Sequence, residues 1–163
     1  MSEHHVNERD DLVAVNEGDE IVAGVAAWVA EWGREVAAAD IAAGRTRFAE
    51  DLVAFGTHAD VVEGRIAVEN QQWAQIWPAI EDFSFDVAGL HVIASGDGLQ
   101  AVAVVPWTST GIDEDGGRFD RPGRATIVLR RDHPSAPWLG VHTHFSLARG
   151  VPSATHGRRQ AIR

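Results

Sequence analysis

The stretch Trp138 to Leu147 (WLGVHTHFSL) constrains the fold more than any other part of the chain. It alternates as a strand does: Leu139, Val141, Thr143, Phe145 and Leu147 share one face, and Gly140, His142, His144 and Ser146 share the other. Neither face carries a carboxylate or an arginine, and both carry bulky groups. Such a strand belongs inside a sheet with helices packed on one side and a second layer on the other.

Composition narrows the chemistry. At 163 residues the chain is long enough for one domain with a substantial core. Its 24 Asp and Glu against 14 cationic side chains leave a net charge of −10. A field of that sign disfavours nucleic acid and anionic membranes as partners. The start is polar and acidic, and the longest apolar run, Ala23 to Ala30, is far too short for a bilayer, so the cytoplasm is the expected compartment. Cys, Tyr and Lys are absent. That excludes disulfides, a thiol nucleophile, cysteine-ligated zinc, a Schiff base and a phosphate-loop lysine. Catalysis is left to His, Asp, Glu, Ser, Thr, Arg or water, and no cofactor is expected.

Residues 1–16 read as a loose polar arm. Within it, Ser2-Glu3-His4 would chelate copper or nickel if Met1 were removed; a solvated tail is the alternative. A helix is expected over Asp19 to Ala39, where Ile21, Val25, Trp28, Val29, Trp32 and Val36 recur every three or four residues. A short helix from Asp40, a plausible cap, to Phe48 follows, then a strand Leu52 to Phe55 and a helix Arg65 to Ile76 ended by Pro78. Strands are expected over Phe83 to Ser95, Leu99 to Thr110, Arg124 to Arg131 and the opening stretch, with Gly111 to Gly123 as a polar loop. Helices first and antiparallel strands afterwards argue an α+β fold with helices on one face of a curved sheet. Residues 149–163 read as a flexible basic tail.

The blocks Phe48 to Thr57 (FAEDLVAFGT), Glu63-Gly64-Arg65, Gly123 to Asp132 (GRATIVLRRD) and Val141 to Ser146 (VHTHFS), in this order of elements, resemble the SnoaL-like branch of the nuclear transport factor 2-like superfamily. The last block is also similar to the association domain of calcium/calmodulin-dependent protein kinase II. The resemblance spans about Asp19 to Leu147. It implies a cone-shaped curved antiparallel sheet wrapped around about three N-terminal helices over residues 17–148, and a homodimer formed through the sheet. The fold hosts isomerases, cyclases, dehydratases and assembly modules, so it does not name a reaction. The superfamily's ketosteroid isomerase uses an Asp base with a Tyr and a protonated Asp as oxyanion hole. Matching puts its base near Gly56 and its tyrosine near Trp32, and neither residue can do that chemistry.

On the resemblance, Val141, Thr143 and Phe145 point into the cone, while His142 and His144 lie on the face that meets a second subunit. Two other readings of the histidines stay open: a pocket acid and base, or metal ligands sharing one strand face. His91 and His58 supply no recognisable spacing for a third ligand, and no metal is expected. Trp28, Trp32, Phe55, Trp73 and Trp107 are candidate walls of an aromatic-accepting cavity. Arg124 and Thr126 share a strand face, with Arg124 the candidate for pairing a ligand carboxylate. As bases, Asp86, Glu69 and Asp51 are weak candidates. The expected function is binding of a small apolar or aromatic molecule, with or without a carboxylate and with or without acid/base chemistry. The alternative is a non-catalytic homo-oligomeric association module.

Overall fold

The computed structural model describes the backbone of residues 8–163 and the side chains of residues 17–163. Residues 1–7, and with them the Ser2-Glu3-His4 motif, lie outside the described residues. The chain opens with α1 (Glu8–Ala37) and α2 (Ile41–Arg45), then β1 (Phe48–Phe55) and β2 (Val62–Glu63). A second helical run joins α3 (Arg65–Val68), a π-helical turn (Glu69–Trp73), α4 (Ala74–Ile76) and a 3-10 turn (Trp77–Ala79). The strands β3 (Glu81–Phe85), β4 (His91–Ala94), β5 (Gln100–Ile112), β6 (Arg118–Asp120), β7 (Gly123–Arg130) and β8 (Leu139–Leu147) complete it.

Helix α1 begins at Glu8, so residues 8–16 are helical rather than a loose arm. Acidic residues suit the positive end of a helix, and no Gly or Pro interrupts the run before Gly18. The expected apolar stripe is the buried one: Val25, Trp28, Val29, Trp32 and Val36 all lie in the core. Asp40 caps α2, its carboxylate accepting the Ala43 N–H at 2.9 Å.

The sheet runs β2-β1-β8-β7-β5-β3, with β4 and β6 also paired to β5. Among the described strands, only β1 and β8 pair in parallel. The strand expected over Phe83 to Ser95 is two, because Asp86 accepts the Gly89 N–H at 3.2 Å and closes a turn between β3 and β4. On the concave face Ala101, Ala103, Val105 and Trp107 of β5 and Ala125, Ile127 and Leu129 of β7 are all buried. The result is the expected α+β architecture, a curved sheet holding the helices.

Strand β8 departs from simple alternation. Val128 faces His142, but Leu129 faces Gly140, so Val141 is the extra residue of a β-bulge. Gly140 points inward because the Phe48 ring occupies that space: a Cβ there would lie 2.4 Å from it. The inward residues are therefore Gly140, Thr143 and Phe145, and Val141 drops out of the set.

The C-terminal segment is not a free tail. Ile162 bridges Asp40, and its amide donates to the Ala39 carbonyl at 2.9 Å. The Arg159 amide donates to Pro78 O at 2.7 Å. Charge suggested a solvated segment, but Arg159 and the segment's amides serve carbonyls at helix ends, which have no partner inside their own helix.

Candidate functional site: an aromatic cavity with one buried arginine

The open end of the cone leads into a cavity between the sheet and the second helical run. One wall is the sheet, with Trp107, Thr143 and Phe145. The facing wall is Val36 from the last turns of α1 with Trp73, Ile76, Trp77 and Ile80. Gly56, Thr57 and Gln72 form the rim. The rings are tightly arranged: Trp73 and Trp77 stack at 4.9 Å, and Trp32 meets Phe145 edge-on at 5.6 Å. The cavity is small, with a volume of about 40 Å³.

The π-helical turn aims two of these residues. Its Trp73 faces the cavity, and the Gln72 side-chain oxygen accepts the Ala59 N–H at 2.8 Å, tying the rim loop to the helix. Glu69 anchors the same turn from behind. It is buried, and both of its oxygens pair with Arg45 at 2.8 Å. Glu69 is thus a structural ion pair and not a base facing the cavity. Arg45→Met would leave that carboxylate buried without its partner, so its urea midpoint is expected to fall, with the slope unchanged.

Arg121 is the functional candidate that periodicity missed. It is 1% exposed and lines the cavity. One Nη2–H donates to Thr57 Oγ1 at 3.0 Å, and the guanidinium stands 5.7 Å from the Trp107 ring centroid. Its Nε has no hydrogen-bond partner, and it forms no ion pair among the described residues. Burial pushes its pKa down from the usual guanidinium range to about 10, so it remains charged at neutral pH. Arg121 sits just before β7, held inward by its paired backbone bonds with Ser109 at 2.9 and 3.1 Å. A signal for it was present in the sequence. The apolar residues of β7 are the odd positions Ala125, Ile127 and Leu129, and counting back by twos reaches Arg121.

Of the expected pocket residues, the cavity brings together Trp32, Trp73, Trp107, Thr143 and Phe145. Phe55 borders it, but its ring lies against His144, tilted by 36° with centroids 4.2 Å apart. Trp28 lies away from the cavity, its Nε1 donating to the Trp138 carbonyl at 3.2 Å. Arg124 and Thr126 face the opposite way: Arg124 is exposed and donates to Leu147 O at 3.0 Å, and Thr126 lies opposite His144. Their face was misassigned because the inward set of β7 is the odd one. Gly56 and Trp32, where the ketosteroid isomerase base and tyrosine would fall, do line the cavity.

His142 and His144 project from the convex face. His142 Nδ1 donates to the Val53 carbonyl at 2.8 Å, which leaves Nε2 as its free nitrogen. Among the described residues no group of three His, Asp or Glu is arranged to hold a metal ion. No described helix is long and apolar enough to cross a membrane.

A helix cradled in a curved sheet, with an apolar cavity at the open end, defines the cone-shaped domains of the nuclear transport factor 2-like superfamily. The comparisons place this chain within it: a family model for the SnoaL-like domain matches residues 25–150, and the chain belongs to that family. Among solved structures it is similar to a Xanthomonas campestris protein named as a calcium/calmodulin dependent protein kinase II association domain. The two share 25% identity and a TM-score of 0.63, over 78% of this chain and 87% of that one. It is also similar to a nuclear transport factor 2-like superfamily protein from Salmonella enterica, at 18% identity and TM-score 0.67 over 84% and 99% of the two chains. A ketosteroid isomerase-like protein from Erwinia carotovora atroseptica aligns at 14% identity and TM-score 0.66 over 77% and 95%. No curated protein matches the chain.

Proposed function

We propose that this domain binds a small aromatic or apolar carboxylate inside the cone, with Arg121 as the partner of the anion. The observation that carries this reading is a buried guanidinium without a counter-ion among the described residues, in an otherwise uncharged, aromatic-walled cavity. Desolvating a charge is costly, and an anion entering beside it recovers that cost as a charge-assisted hydrogen bond. Tryptophan and phenylalanine faces would take the ligand's ring. The cavity wall contains no Asp, Glu or His, so this is a reading of binding rather than of proton abstraction by a wall side chain. Titration with benzoate and phenylacetate, followed by tryptophan fluorescence, tests it. Both are expected to bind with a Kd on the order of 0.1 mM. Neutral benzyl alcohol should bind at least about tenfold more weakly, a difference of about 1.4 kcal/mol. Equal affinity for acid and alcohol would overturn the assignment.

A second reading concerns the convex face. There His142 and His144 stand beside half-buried Val53, Phe55 and Val128 and exposed Val104, and the helices pack on the opposite face. An apolar face of this kind suits a second copy of the chain. Light scattering is expected to give a dimer for the native chain. The double substitution His142→Ala and His144→Ala should raise its dissociation constant by about tenfold or more while leaving benzoate binding intact. A native monomer at micromolar concentration would exclude the assembly.

A further inference from the structure

The cavity as it stands is too narrow for the ligand class proposed. Its water-accessible volume of about 40 Å³ holds about three water molecules, whereas a cavity of about 150 Å³ takes up benzene. One wall must move. The sheet wall cannot do so cheaply, because Trp107 and Thr143 sit on strands bonded on both sides. The helical wall is different. It is one contiguous helical run whose bonding changes from α to π, back to α and then to 3-10, so it lacks the uniform ladder of a single α-helix.

What holds that wall is the C-terminal segment 155–162. Thr155 Oγ1 donates to Ala79 O at 2.7 Å and accepts the Ile112 N–H at 2.9 Å. Gly157 passes so close that a Cβ there would lie 2.5 Å from Ala79 O. Arg159 is the centre of the segment. Its Nε donates to Ile80 O at 2.7 Å, Nη1 to Ala37 O at 2.7 Å and Nη2 to Trp77 O at 2.8 Å. A single guanidinium thus joins the end of α1, the 3-10 turn and the approach to β3. Trp77 and Ile80 are cavity wall, and Val36 precedes Ala37. The C-terminal side is closed by Ile162, whose carbonyl accepts Ile41 N–H at 2.8 Å.

We propose that this segment is a strap that gates the cavity. With Arg159 seated, Trp77 and Ile80 stand inward and the cavity is closed to a ring. When Arg159 leaves its three carbonyls, the helical wall swings outward and the ligand enters. The gate rests on the cavity being a ligand site, but two readouts examine it without a ligand. In the full-length Arg159→Ala variant, acrylamide quenching of tryptophan fluorescence is expected to rise about twofold. Amides of residues 37–42 and of Trp77, Ala79 and Ile80 should exchange hydrogen faster while those of β7 keep native protection. Stopped-flow mixing with benzoate should show association about tenfold faster than for the native chain.

Native quenching and local exchange in Arg159→Ala would overturn the strap, as would uniformly faster exchange across the sheet. Benzoate binding at the native rate would overturn the gate and leave the ligand site standing. Increased quenching and exchange with no benzoate binding by either protein would support the strap and remove the ligand reading instead. If Arg159→Ala does not fold, Arg159→Lys and Thr155→Val, which each remove only part of the anchoring, decide by the same measurements.

Discussion

Arg121→Met is expected to make the protein more stable and to abolish benzoate binding. The native arginine is buried without a counter-ion among the described residues, and burial lowers its pKa to about 10. That fall corresponds to about 3 kcal/mol of disfavoured charge in the folded state. The Thr57 hydrogen bond and the Trp107 face return part of it. Met fills a similar volume without a charge, so a net gain of about 2 kcal/mol is expected. For a chain of this size the Tm should rise by about 6 °C. A stability decrease would show that the guanidinium is compensated in the native fold, and would remove the argument for an anion.

The same group sets a pH dependence. Its folded pKa lies below its unfolded one. From about pH 10 up to the ordinary guanidinium range the unfolded chain therefore holds a proton that the folded chain has lost, and this group's contribution to stability rises with pH. Below about pH 10 both states are charged and the contribution is flat. Benzoate affinity should accordingly be level from pH 6 to 9 and fall about tenfold per pH unit well above pH 10. In Arg121→Met both dependences should vanish from the difference curves.

Gly123→Ala should produce the largest loss of stability. A Cβ at this position would lie 2.3 Å from the Ser146 carbonyl oxygen and 2.3 Å from Trp107 Cζ2. Neither neighbour can yield. Ser146 is paired backbone opposite Arg124, and Trp107 is wedged against Phe83 and Phe145 at 5.7 and 5.9 Å. The cost is expected to be about 3 kcal/mol, at the upper end for overpacking. It should appear as a lower urea midpoint with an unchanged slope. Trp107 would also be displaced into the cavity, so the surviving folded protein should bind benzoate more weakly. A variant with native stability and affinity would mean that β7 and β8 can separate locally, which the unbroken pairing from Gly123 to Val128 argues against.

Much of the fold was legible where the physics is local. The stripe on α1 follows from the 3.6-residue period, the start of α2 from the Asp40 side chain, and the strands of the second half from alternation and turn residues. What failed was any inference that carried alternation across an unseen irregularity. Val141 would face inward on an unbroken β8, but Phe48, far away in the chain, fills the place of a side chain at Gly140, and the bulge resets the count. Arg121 does not stand out in the sequence because the stretch before Gly123 reads as polar loop, although the apolar residues of β7 mark the odd positions as inward. The C-terminal segment looked like a solvated tail because its composition is basic, and its carbonyl partners are visible only in three dimensions.

The stretch Trp138 to Leu147 shows where the division lies. The sequence alone determined that it is a strand inside a curved sheet with helices on one side, since a pleated chain with two uncharged faces has few other stable settings. Only the tertiary structure decided which side chains meet the cavity. Facing direction depends on register, register depends on one glycine yielding its space to a phenylalanine from another strand, and a slip of a single residue moves every side chain to the opposite face.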